Sequence, residues 1–121
     1  MTQEQYNSMI GMLIAATFDK KIVWEENNDS FSTHVNGCGI LLSSSYDYNI
    51  NLCSFSLQLS NKDGVAFETF TYSEDVNPDE YNKLNSLYSS IRDVNYRISE
   101  SEKCILDALK ELTKHDDDLP F

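Results

Sequence analysis

FSTHVNGCGILLSS, residues 31–44, carries the pattern on which the fold turns. Phe31, Thr33 and Val35 alternate with Ser32 and His34, which gives the segment one apolar and one polar side, the period of a half-buried strand. Asn36-Gly37 follows; a two-residue hairpin turn needs positive φ at both central positions, and this pair adopts it at least cost. The apolar pattern then resumes in CGILLSS, with Ile40 and Leu42 on one side and Leu41 on the other. Two antiparallel strands joined by a tight turn are predicted.

Outward from this hairpin the same signals repeat. KIVWEE (Lys21–Glu26) predicts a preceding strand, closed by the turn formers NNDS. Beyond the polar break SSYDYN, INLCSFSLQLS alternates Cys53, Phe55, Leu57 and Leu59, and NKDG (Asn61–Gly64) turns the chain into VAFETFTY. Before the strands, Thr2 and Gln5 have capping-box spacing, and Tyr6, Met9, Ile10, Leu13 and Phe18 recur at helical intervals. After them, NPDEY starts a helix with Asn77 as N-cap, Pro78 at the first position and Glu80 three residues past the cap. Its buried stripe is predicted at Tyr81, Leu84, Tyr88, Ile91 and Val94 or Asn95. Ser99 with Glu102 marks another start, with a stripe at Ile105, Leu106, Leu109 and Leu112 that fades near Lys114. The predicted fold class is α+β: an N-terminal helix, a four- or five-stranded antiparallel meander, two C-terminal helices and a short disordered acidic tail. Residues 1–113 are expected to form one domain and residues 114–121 the tail. One sheet face is expected to be covered by helices, leaving the other open to a partner.

Charge limits the partners. Nine Lys and Arg against 20 Asp and Glu give a net charge of −11, so the average field repels phosphates and favours basic surfaces. Without Asp116, Asp117 and Asp118 the body still carries −8, and duplex DNA is a poor partner for it. Cys38, Cys53 and Cys104 are odd in number and widely spaced, which fits reduced thiols and a cytoplasmic location. The apolar run Met9–Phe18 has ten residues and no preceding cation, so it predicts neither an export signal nor a membrane span. MIGMLIAA within it is apolar enough for a homodimer interface.

Catalytic equipment is sparse, and no enzyme activity is expected. His34 and His115 are the two histidines, no nucleophile lies in a recognisable motif, and His34 reads as a solvent-face strand residue. A pocket joining His34 to a second polar group would reopen the enzyme reading. His34, Cys38 and Cys53 lack the paired spacing of zinc ligands, and Cys53 and Cys104 read as small core residues. Glycine-rich phosphate loops are absent, so no metal and no cofactor is expected. Trp24, Tyr46 and Tyr48 lie on or between predicted strands, where single-strand binders stack bases, but cations are scarce around them. Single-stranded DNA binding through these rings is therefore the alternative function.

The last residues, KHDDDLPF (Lys114–Phe121), carry the most specific signal. Acidity accounts for the three aspartates but not for Leu119, Pro120 and Phe121. A terminal Phe offers a ring to an apolar pocket and a carboxylate to an Arg or Lys at its mouth. Pro120 lowers the entropy lost on docking, and the aspartates suit a basic rim. Asp116 to Phe121, DDDLPF, resembles the C-terminal tip of bacterial single-stranded DNA-binding proteins: acidic cluster, aliphatic residue, proline and terminal phenylalanine. The resemblance covers six residues and implies docking on genome-maintenance proteins such as helicases, exonucleases, primosome components and recombination mediators. Members of that family carry an oligonucleotide-binding barrel and a long linker, which the helix-rich ends here do not suggest. The expected function is a protein-interaction module that recruits such enzymes or competes for their pocket.

Overall fold

The computed structural model describes residues 1–114. Helix α1 (Gln3–Phe18) precedes five strands, β1 (Glu25–Asn27), β2 (Ser30–Val35), β3 (Cys38–Asp47), β4 (Leu52–Ser60) and β5 (Ala66–Ser73), and helices α2 (Pro78–Tyr96) and α3 (Ile98–Lys114) follow. The strands form one antiparallel sheet in chain order, β1-β2-β3-β4-β5. This is the α+β meander that the sequence predicts, with five strands.

Local chemistry sets the boundaries. Thr2 and Gln5 form the capping box: the Thr2 hydroxyl accepts from the Gln5 amide, and the Gln5 side chain accepts from the Thr2 amide. Asn36 (φ 50°) and Gly37 (φ 82°) make the β2–β3 turn with both central residues left-handed. In the β4–β5 hairpin the Asn61 side chain accepts from the Asp63 and Val65 amides, holding the turn before β5. Strand β3 continues through Ser45 and Tyr46, where a polar break is predicted, because Ser43, Ser45 and Asp47 pair in register with Ser56, Ser54 and Leu52 of β4.

The core lies between the sheet and a layer formed by α1 and α2. Phe31, Leu42, Leu57 and Phe70 stand in one row across β2 to β5, and Tyr6 of α1 and Tyr88 of α2 pack rings against this face. Leu84, Leu87 and Ile91 of α2 are fully buried against it. Both helices run from the β5 side towards β1: Tyr6 meets Phe70 and Tyr72, while Thr17 meets Trp24 just before β1. Likewise Pro78 follows β5, and Asn95 at the far end of α2 donates to the Trp24 carbonyl. The opposite face presents short polar side chains in rows such as Ser30, Ser43, Ser56 and Thr71, and among the described residues no helix covers it.

Three expectations need correction. The strand expected over Lys21–Glu26 is confined to Glu25–Asn27, because Lys20 turns left-handed (φ 58°) and the segment dips to place Trp24 in the core. The hydroxyl of Ser99 does not cap α3. Arg97, left-handed at φ 52°, ends α2, and Asp93 reaches across the bend to accept from both the Ser99 amide and its hydroxyl. Cys104, expected in the core, is exposed, while Cys53 is half-buried.

Candidate functional site

Helix α3 is the element that the fold leaves unsatisfied. Ile105, Leu106, Leu109 and Leu112 form the predicted stripe, yet each is more than half exposed, and α3 buries no residue at all. Its neighbour is α2, joined through Arg97 alone. Four large aliphatic side chains on one helical face in water mark an interaction surface. The apolar run in α1 contributes a second such surface. Met9, Met12 and Ala16 of α1 border a groove of about 410 Å³ whose other wall is Val35 and Cys38 of the β2–β3 hairpin and Phe67 of β5. No α2 residue lines it, so it runs along the flank of α1 away from α2.

The expected stacking rings are not brought together. Trp24 is 3% exposed; its indole N–H donates to the Thr17 hydroxyl at 3.0 Å, which itself donates to the Leu13 carbonyl. A buried indole offers no face to a base, which corrects the reading of Trp24. Tyr46 and Tyr48 do form an exposed edge-to-face pair, ring centres 4.7 Å apart, at the β3–β4 end of the sheet. The cleft they share with Tyr81 is lined also by Asp29, and by no Lys or Arg. Burial, followed by the nearby Cys53 and Glu74, raises the Tyr81 phenol above its ordinary value.

His34 stands exposed on the open sheet face, in a cleft of about 300 Å³ with Lys62, Gln58 and Ser60. A second polar group beside His34 is thus present, and the cleft offers cationic and hydrogen-bonding groups to a small anion. No carboxylate or thiol lines it to complete an acid–base pair or to supply a nucleophile. Among the described residues no three His, Cys, Asp or Glu side chains converge on a common point, and no helix is long and apolar enough to cross a membrane. Asp116, Asp117, Asp118, Leu119, Pro120 and Phe121, which the sequence leads one to expect as docking residues, lie outside the described residues; the last position described, Lys114, ends α3.

No protein-family model, curated protein or solved structure matches the chain. Sequence reasoning missed the groove because its walls come from α1 and from two hairpins far apart in the chain. The signal available was the apolar excess of Met9, Met12 and Ala16 beyond the Tyr6, Ile10, Leu13 stripe.

Proposed function

We propose that the chain is a protein-interaction module whose terminal peptide, Asp116 to Phe121, docks on DNA replication, repair and recombination enzymes that accept the tip of single-stranded DNA-binding protein. The observation that carries this reading is the sequence DDDLPF itself, set one residue beyond the end of α3. Phe121 supplies the ring, Leu119 and Pro120 shape the approach, and the aspartates follow a basic rim. A short peptide that orders on binding holds its pocket at an affinity on the order of micromolar.

From Lys114 the peptide spans about 25 Å when extended, so the folded body stands beside any enzyme that holds the tip. Competition is favoured over recruitment, because a body that carries −8 without the three tail aspartates sets an acidic surface where the enzyme expects nucleic acid. The test is a pulldown from bacterial lysate with the intact chain, the chain lacking Phe121 and a chain extended past Phe121. Replication and repair enzymes are expected with the intact chain alone, and to be displaced by a synthetic single-strand-binding-protein tip. Equal capture by all three overturns the reading.

Single-stranded DNA binding has the exposed Tyr46–Tyr48 pair in its favour. Titration of a fluorescent oligonucleotide at low salt decides it: saturable binding that weakens with Tyr48→Ala supports that function, and its absence removes it.

A further inference from the structure

The α1–sheet groove and the bare stripe of α3 are complementary surfaces on one chain. We infer that a second copy of the chain fills each groove with its α3, so that two copies exchange C-terminal helices about a two-fold axis. The inference is independent of the tail docking proposed above.

The argument begins with the helical layer. Two helices cover the sheet, and beside α1 a strip at the β2–β3 and β4–β5 hairpin ends stays uncovered, floored by Ile40 and Leu59 and walled by Met12, Val35 and Phe67. Such a strip is open to one more helix. Val35 is 43% exposed, Phe67 62% and Met12 65%, large apolar side chains that water solvates poorly. Helix α3 has 17 residues, about 25 Å of length, and its stripe repeats at Ile105, Leu109 and Leu112, the spacing that seats one helix against another surface.

A chain's own α3 does not reach this strip. Helix α2 ends at the β1 edge, where the Tyr96 hydroxyl donates to Glu26 and Asn95 donates to the Trp24 carbonyl. Helix α3 starts one residue later, on the α2 side of α1, whereas the groove lies on the other flank. A single linking residue does not carry a helix across another about 10 Å wide. The occupant therefore comes from another molecule, and a reciprocal exchange fills both grooves and closes the assembly.

Charge favours a second copy as that molecule. Two chains of net charge −11 repel, but α3 balances four acidic residues with three lysines. Lys103 and Lys110 border the stripe beside Leu106, three and four residues away, with Glu102 the one acidic residue at that spacing, while Glu4 and Glu68, the latter paired with the N-terminal ammonium, border the groove next to Met12 and Phe67. The groove itself is lined by no charged residue. The least repulsive part of the chain is thus the part that meets its copy.

Sedimentation velocity or light scattering of the full chain tests this. The intact chain is expected at twice the 13.9 kDa chain mass. Met12→Glu in the groove and Leu109→Glu in the stripe each carry a carboxylate into an apolar contact, and each is expected to weaken the dimer at least about a hundredfold. Both positions are exposed in the single chain, so circular dichroism should show an unchanged fold for both. An intact chain that stays at 13.9 kDa up to its solubility limit overturns the inference and leaves the stripe to a different protein. Dimers that Leu109→Glu disrupts but Met12→Glu does not also overturn it, since two α3 helices then pair with each other.

Discussion

Tyr6 shows how a single side chain sets the terms of this core. It is 1% exposed, its ring packs on Phe70 at 4.8 Å and Tyr72 at 5.7 Å, and its hydroxyl is buried without a hydrogen-bond partner. Burial first, and then the neighbouring Tyr72 and Glu80, hold the phenol well above its ordinary 10.0. A group raised in the fold contributes stability that is fully present below its unfolded value and is lost as pH climbs towards the folded one. Wild-type protein is therefore expected to lose stability above pH 10.0, with Tyr72 and Tyr81 adding to the loss because they shift in the same direction. Tyr6→Phe keeps the ring packing and removes the orphaned hydroxyl. Urea unfolding at neutral pH should show it about 1 kcal/mol more stable than wild type, with a shallower alkaline decline. A loss of stability on this substitution indicates that the hydroxyl has a bridging water.

At the scale of elements, the join between α2 and α3 decides where the last helix points. Arg97 bends the chain with a left-handed backbone, and Asp93 holds the start of α3 through Ser99, with both contacts at 2.8 Å. Asp93→Ala is expected to cost about 1 kcal/mol and to speed amide exchange over Ser99–Glu102, leaving the strands protected; hydrogen exchange resolved by residue measures both. Arg97→Gly relieves the strained conformation and should raise the melting temperature by a few degrees, about 0.5–1 kcal/mol. Elements with short-range signals were legible in the sequence: the Thr2–Gln5 box, the Asn36-Gly37 turn, the alternation of β4 and Pro78 at the start of α2. What failed depended on contacts across the fold. Trp24 alternates like a strand residue, but its destination is set by Thr17 in another element. The cap of α3 comes from Asp93 across a left-handed turn that no local rule marks. The stripe of α3 was legible as amphipathic, yet periodicity states that a helix needs an apolar partner without saying whether the same chain supplies it.

For the whole molecule, the distribution of buried residues separates what folds from what binds. Among the described residues every buried side chain lies between Tyr6 and Ile91, and none lies in α3. The stripe sits outside this core and the groove at its margin, floored by Ile40 and Leu59, and DDDLPF, the segment proposed to dock, follows the helix that contributes nothing to the core. A chain shortened to residues 1–97 should consequently keep its circular dichroism of strands and helices in proportion, since no core contact is removed. Its thermal behaviour should differ from the intact chain in one respect. If exchange of α3 stabilises the folded state by association, the intact chain's melting temperature rises with protein concentration, by about 2–3 °C per tenfold for a chain of this size. The shortened chain and the Leu109→Glu full chain have no such term, and their transitions should be independent of concentration. Scanning calorimetry over a hundredfold range separates the cases. A concentration-dependent transition that survives in both variants locates the association elsewhere, on the exposed sheet face or the unpaired edge of β5, and a flat transition in all three removes it.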